Sequence, residues 1–229
     1  MFPCEASPVR THDLLEIDAK QLISADWTLP DWAEEHLLAT PFVVVRRGLI
    51  TSQRIPIGVR GGERNQRWAA LCHSTWVKSI LTPPEVLTRN VPALRAAVPA
   101  LRALHFLKDR WLDLDHPWGP GGSVGFELAT GRHVVRPESD LDVVVYSEGK
   151  ITREQARSLH ARTMNLSVAI DVRMETLACG FSLTEYAGAD SGGILLRTPY
   201  GIELGNDPWS YESRIEDKGR SGGERLNVL

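Results

Sequence analysis

The chain has 229 residues, 42% of them hydrophobic and 24% charged, which is the composition of a globular protein with a packed core. Its formal net charge of −3 excludes the basic excess that non-specific nucleic-acid binding needs, so no nucleic-acid partner is expected. The start lacks a secretory signal pattern, and no apolar run approaches the roughly 20 residues that cross a bilayer. The three scattered cysteines form no disulfide framework. We therefore expect a cytoplasmic protein without a membrane partner.

The first part of the chain carries short strand signals, at Pro41–Arg46 and at Ile55–Arg60. Pro56 has no N–H donor, which favours an edge position for the second strand. Helical spacing follows from Gln66 to His73. The turn at Thr82-Pro83-Pro84 is then the best candidate for a domain boundary.

The rest of the chain alternates between helix and strand signals. An amphipathic helix is predicted over Val91–Trp111, where Pro99 predicts a kink or a break into two helices. The elements predicted after it are a strand at Leu141–Tyr146, a helix at Thr152–Arg162 with Thr152 as its N-cap, a strand at Leu166–Val172, a short helix at Ser182–Ala187, and strands at Ile194–Arg197 and Gly201–Leu204.

This order predicts an α/β (α+β) fold whose catalytic domain is a mixed sheet with packed helices. We expect that domain over residues 85–214. A smaller α+β N-terminal domain is expected over residues 1–84, and a polar, glycine-rich flexible tail over residues 215–229.

Asp140 and Asp142 stand two residues apart where the Leu141–Tyr146 strand begins. Side chains alternate between the faces of a strand, so both carboxylates are predicted on one face, while Leu141 and Val143 point into the core. Carboxylates this close repel each other unless they are protonated or bridged by a cation. Oxygen ligands without Cys or His favour Mg²⁺ or Mn²⁺, although an isolated Asp-x-Asp is more often a solvated strand end.

Upstream of the aspartates, Gly122 and Ser123 open a segment with helical character. Glycine lets the backbone approach a phosphate, and free N–H groups together with the Ser123 hydroxyl can donate to its oxygens. Alone, such a segment indicates only a flexible loop. A Gly-Ser followed by Ser139-Asp-Leu-Asp142 and an apolar strand resembles the nucleotidyltransferase superfold, in which the first element holds the polyphosphate and the second holds the metal.

That layout expects a third carboxylate on the neighbouring strand, where Asp171 and Glu175 share a face. We favour Asp171 because it directly follows an apolar run; the alternative is a surface carboxylate paired with Arg173. Two metal ions held by these acids would neutralise a triphosphate, and Asp171 is the candidate base for an attacking hydroxyl. Arg197 is a further candidate for binding substrate phosphate.

Longer fragments resemble one family. They are Trp118–Gly131 followed by Pro137–Val145, Thr11–Leu15, Ile55–Arg60, Leu196–Gly201 and Asp207–Trp209. They are similar to the malonate decarboxylase holo-acyl-carrier-protein synthases, also called phosphoribosyl-dephospho-CoA transferases.

The resemblance implies that the group carried by 2′-(5″-triphosphoribosyl)-3′-dephospho-CoA is transferred to a serine of the acyl-carrier subunit, with release of pyrophosphate. It also implies that the family's metal-binding aspartates are Asp140 and Asp142. The interval between Ser123 and Asp140 is longer than in the general superfold, with a loop expected around Thr130–His133.

Two other functions stay open at this stage. One is a different nucleotidyltransferase that adenylylates a protein or a small molecule from ATP, and the other is a non-catalytic nucleotide-binding module. Four arginines of the first part could bind substrate phosphates or an acidic carrier, or form a solvated face: Arg54, Arg60, Arg64 and Arg67. For the N-terminal domain we expect a role in recognising the carrier or the substrate.

Overall fold

The computed structural model describes residues 9–26, 28–63, 65–189 and 192–210. The predicted tail over 215–229 lies outside these residues, as does Arg64. Within them, no helix is long and apolar enough to cross a membrane. The described chain contains two β-sheets with helices packed on them, which confirms the predicted α+β class.

The first sheet is antiparallel and is built before residue 82. Its elements in chain order are β1 (Leu14–Ile17), α1 (Ala19–Ala25), α2 (Asp31–Ala39), β2 (Phe42–Val45), β3 (Arg54–Arg60), β4 (Arg67–His73) and β5 (Val77–Leu81). The strand order is β4-β3-β2-β1-β5. One face buries Leu15, Val43 and Ile57 together with Leu22 of α1 and Leu37 of α2. Alternation sends Leu14 and Val44 to the other face, which packs on the second core.

Two predictions for this sheet were wrong. The helix expected from Gln66 to His73 is β4, which pairs with β3 along its whole length from Arg60↔Arg67 to Arg54↔His73, and this pairing overrides the local helical spacing. The edge position expected for Pro56 is also wrong, because β3 lies between β4 and β2. Just past the end of β2, the N–H of Arg46 still donates to the carbonyl of Pro56 at 2.8 Å, so the proline forgoes only the reciprocal bond at the last position of this pairing.

The second sheet is mixed and carries the remaining elements. These are α3 (Pro83–Leu87), α4 (Pro99–Arg110), β6 (Trp118–Pro120), α5 (Gly122–Thr130), β7 (Leu141–Tyr146), α6 (Arg153–Ala161), β8 (Ile170–Glu175), β9 (Gly180–Ser182), α7 (Leu183–Gly188), β10 (Ile194–Thr198) and β11 (Gly201–Gly205). The strand order is β11-β10-β9-β8-β7-β6, and only the β7–β8 pair is parallel.

Most boundaries predicted here are confirmed. The break at Pro99 is where α4 begins, and Thr152 caps α6 in a capping box with Gln155. The strand expected at Leu166–Val172 instead runs over Ile170–Glu175. It begins late because β7 starts at Leu141, whose parallel partner is Ile170.

The two faces of this sheet differ in chemistry. The core face buries Val143, Val145, Val172, Met174 and Phe181 against the helices. The opposite face, called the site face here, presents three rows of side chains that the strand register aligns. The rows are Asp142 with Asp171, then Val144 with Arg173 and Ser182, then Tyr146 with Glu175, Gly180 and Arg197.

Candidate functional site

Three aspartates lie at the entrance of β7 and β8. Asp142 and Asp171 are direct partners in the parallel register, and Asp140 immediately precedes β7. Burial raises the pKa of the Asp142 carboxyl, and the charges of Asp140 and Asp171 raise it further. The guanidinium groups of Arg60 and Arg173 act in the opposite direction. The cluster is therefore crowded with negative charge, as the sequence predicted for Asp140 and Asp142, and it is faced by two cations.

Gly122 lies against Asp142. It is the first residue of α5, its φ is +52°, and a Cβ built on it would lie 2.8 Å from Cγ of Asp142 and closer still to Oδ2. The N–H of Gly121 donates to the carbonyl of Asp142 at 2.9 Å. Ser123, half-buried, is the second residue of the same helix. The start of α5, where backbone N–H groups are unpaired, thus meets the acidic cluster directly.

The long segment between Ser123 and Asp140 folds back on α5 through hydrogen bonds to the buried carboxylate of Glu127. Glu127 of α5 accepts the N–H groups of Val134 and Val135, each at 2.8 Å, and pairs with Arg95 at 2.8 Å. Burial raises the pKa of Glu127, but these hydrogen bonds outweigh it and leave the pKa below its usual value. The predicted loop therefore returns the chain to β7 without separating Gly122 from Asp142.

Asp171 has two sets of neighbours. It lies beside Asp142, and its Oδ2 also accepts from Nη2 of Arg173 at 2.7 Å. The ion pair that the sequence suggested as an alternative role is therefore present. Among the described residues, no three His, Cys, Asp or Glu side chains converge as a ready metal site. A cation bound by all three acids would have to replace the Arg173 guanidinium at Asp171.

Glu175 lies apart from the acidic cluster, at the other end of β8. Its side chain is 5% exposed and pairs with Nε2 of His12 at 2.9 Å and with Nη2 of Arg47. Burial raises the pKa of Glu175, but His12 and Arg47 outweigh that effect and hold it below its usual value. Glu175 thus joins the two sheets and is placed poorly as the third ligand.

Tyr146 makes a second connection beside Glu175. Its hydroxyl lies 3.2 Å from the Thr11 carbonyl and 3.4 Å from Oδ1 of Asp13, and the Arg10 guanidinium stacks 3.9 Å above its ring. Burial raises the pKa of Asp13 to about 6. Residues from the first sheet and its leading segment therefore cover this end of the site face.

Arg197 lies in the same far row, opposite Gly180 on β9. It is not brought together with Gly122 and Ser123, so the structure separates the three residues that the sequence grouped as phosphate-binding. Arg60, at the end of β3, is exposed, and its positive charge acts to lower the pKa of Asp142.

Comparison with known proteins covers nearly all of the described chain. Residues 10–83 match the family described as phosphoribosyl-dephospho-CoA transferase MdcG N-terminal domain, and residues 87–208 match the corresponding C-terminal domain. The chain belongs to the phosphoribosyl-dephospho-CoA transferase family. It is accordingly a transferase enzyme.

Relatives in this family cover the chain almost end to end. A phosphoribosyl-dephospho-CoA transferase of Pseudomonas fluorescens strain Pf0-1 is 36% identical over 203 residues, which are 89% of this chain and 96% of the relative. That of Klebsiella pneumoniae strain 342 is 32% identical over 219 residues, covering 90% of this chain and 99% of the relative. No solved structure matches the chain significantly.

No local pattern in the sequence links the residues that cover the far end of the site face. His12 and Arg47 lie 163 and 128 residues before Glu175, so no local spacing links them. The signal available was the family-like fragment Thr11–Leu15, which contains His12 and Asp13.

Proposed function

We propose that this transferase moves the phosphoribosyl-dephospho-CoA group of 2′-(5″-triphosphoribosyl)-3′-dephospho-CoA onto a serine of the apo acyl-carrier subunit of malonate decarboxylase, releasing pyrophosphate. The observation that carries the proposal is the contact of the α5 start at Gly122 with Asp142, whose direct partner in the strand register is Asp171. The start of α5 can hold a polyphosphate, and the carboxylates can hold the cations that neutralise it. Family membership supports the identity of the transferred group.

The acidic cluster suits Mg²⁺ or Mn²⁺, because its donors are carboxylate oxygens and the charges of Asp140 and Asp171 raise the pKa of Asp142. Asp140, Asp142 and Asp171 would hold the metal, with Arg173 released from Asp171. A bound metal would neutralise phosphate oxygens and stabilise the pyrophosphate leaving group.

The chain's own residues then position the reactants. The N–H groups at the start of α5 and the Ser123 hydroxyl would donate to the triphosphate, and Arg60 would face it from β3. The hydroxyl oxygen of the acceptor serine attacks the α-phosphorus, and the bond from that phosphorus to the bridging oxygen of the β-phosphate breaks. The serine proton passes to a carboxylate, for which we propose Asp171, and pyrophosphate leaves.

We also propose a cytoplasmic location. Cys72 is a buried free thiol, in keeping with a reducing compartment.

The test is to incubate the protein with Mg²⁺, the apo acyl-carrier subunit and the triphosphoribosyl precursor, and to weigh the carrier by mass spectrometry. We expect the carrier to gain the mass of one phosphoribosyl-dephospho-CoA group. An unchanged carrier would refute the proposal. A gain of one AMP when ATP replaces the precursor, without a gain from the precursor, would instead identify an adenylylating enzyme.

Two variants test the acidic cluster in the same assay. Asp140→Asn and Asp142→Asn each remove one ligand charge from a strand entrance, so transfer should fall at least a hundredfold while the fold remains. Asp113→Asn is the matched control, because Asp113 is 70% exposed and pairs with Arg162 on the surface. Near-normal transfer by either cluster variant would show that the reaction takes place elsewhere.

A further inference from the structure

Arg197 carries a buried polar atom without a partner. Its Nη1 is shielded from solvent and makes no hydrogen bond within the described chain. Arg197 faces Gly180 in the register, and Gly180 faces Glu175. Glycine leaves room there for Arg47: a Cβ at Gly180 would lie 2.9 Å from Cδ of Glu175 and would overlap Nη2 of Arg47. The Arg47 guanidinium therefore fills the space beside Gly180, and Arg197 faces the same glycine in the register.

Arg197 shares its row with one carboxylate, that of Glu175, and this carboxylate is paired with the ring of His12 and with Arg47. Glu175 already has both oxygens in use by His12 and Arg47. A buried guanidinium N–H without an acceptor is costly, so an acceptor from outside the described chain would stabilise Arg197. A phosphate oxygen is the acceptor that matches a guanidinium best.

The separation of this position from the acidic cluster excludes the triphosphate as the source. Four residues of β8 separate Asp171 from Glu175, roughly 13 Å along the strand, and Arg197 lies two strands further, about 10 Å across the sheet. This is farther than one triphosphate extends. A dephospho-CoA derivative has a second phosphate group, its 5′-diphosphate, about a dozen bonds from the α-phosphorus, or roughly 10–15 Å when extended.

Exposed apolar side chains lie beside Arg197 on the site face. Leu195, Ile202 and Leu204 share this face, because Arg197 pairs with Ile202 and Leu195 pairs with Leu204. Their side chains are 41%, 67% and 75% exposed. Leu195 lies two residues before Arg197 on β10, whereas Ile202 and Leu204 lie on β11, one strand farther from the acidic cluster. Across the strands, the face thus presents the acids of β7 and β8, then Arg197 of β10, then the apolar side chains of β11. A dephospho-CoA derivative presents triphosphate, diphosphate and pantetheine arm in the same order.

Resting on the proposed function, we infer that Arg197, with Arg47 beside it, binds the 5′-diphosphate of the dephospho-CoA moiety, and that the Leu195–Ile202–Leu204 strip receives the pantetheine arm. Arg197 is then a specificity residue. It distinguishes a dephospho-CoA derivative from a simple nucleotide and takes no part in the chemical step.

The experiment compares two substrates and one binding probe. The substrates are the full precursor and 2′-(5″-triphosphoribosyl)adenosine, which lacks the diphosphate and the pantetheine arm. The probe is 3′-dephospho-CoA, which lacks the triphosphate, titrated by calorimetry without metal. Arg197→Gln should raise KM for the full precursor and Kd for the probe about tenfold to a hundredfold, while leaving the truncated substrate unchanged. Arg197→Lys should lose less.

The controls separate the possible failures. Arg102→Gln, at an exposed position of α4, should change neither KM nor Kd, and urea unfolding verifies that each variant is folded. Equal losses on both substrates, or no loss on either, would overturn the inference. If the wild-type protein transfers neither substrate, the proposed function fails. The titration with 3′-dephospho-CoA then still tests the binding role of Arg197. An unchanged Kd in Arg197→Gln refutes that role, and a raised Kd supports it.

Discussion

Gly122→Ala is the substitution that most directly tests the link between the α5 start and the acidic cluster. Gly122 has a φ of +52°, which costs an alanine about 1 kcal/mol. Its new Cβ would also lie 2.8 Å from Cγ of Asp142, where ordinary contact begins near 3.4 Å, so the carboxylate must move by several tenths of an ångström or more. Because misplacement of about 1 Å at a catalytic group costs roughly a hundredfold in rate, we expect transfer to fall at least that far.

Gly131→Ala is the matched control. Gly131 ends α5 with a φ of +73°, so it bears the same backbone strain, but nothing lies within 4 Å of its Cβ position. Both variants should lose about 1 kcal/mol of unfolding free energy in urea titrations, from the positive φ. Only Gly122→Ala should lose transfer, measured as the rate of carrier mass gain. Equal transfer rates in the two variants would refute the idea that Gly122 serves Asp142 by leaving space for it.

Two further predictions concern the contact between the sheets. Glu175→Gln should lower the unfolding free energy by about 3 kcal/mol, because Arg47 and His12 would lose the charge of their buried partner; equal urea midpoints for wild type and variant would contradict this. For Asp13, burial raises the pKa from 3.8 to about 6, so the protonated form is favoured by folding and its contribution is lost as pH rises through that window. Asp13→Asn should therefore gain about 3 kcal/mol relative to wild type between pH 4 and 6, and parallel stability profiles would refute the assignment.

The elements that the sequence predicted well are those whose signals are local. The limits of β7 follow from an apolar run between a carboxylate pair and a turn, and the N-cap of α6 follows from the reciprocal bonds of Thr152 and Gln155. By contrast, β4 was predicted as a helix. Most of its side chains are exposed or half-buried, so their alternation gives little indication of a strand until β4 is paired with β3. Pairing between distant segments, rather than propensity, determines such strands.

The same distinction applies within the site. Asp140 and Asp142 are adjacent in sequence, so strand alternation alone predicts that they share a face. The approach of Gly122 to Asp142 depends instead on Glu127, which folds the intervening loop through the N–H groups of Val134 and Val135. The interval between Ser123 and Asp140 is long in the sequence, whereas in space Gly122 and Asp142 are in contact.

The cations around the acidic face come from both sheets, and this bears on what the N-terminal part contributes. Arg60 and Arg47 belong to the first sheet or the loop after β2, whereas Asp142 and Asp171 belong to the second. Without the first sheet, the acids would keep Arg173 but would lose Arg60, and Glu175 would lose both of its partners. A triphosphate approaching that face would then meet more uncompensated negative charge. The N-terminal part thus contributes the positive charge of Arg60 to the candidate site, and Glu175 joins it to the second sheet through His12 and Arg47.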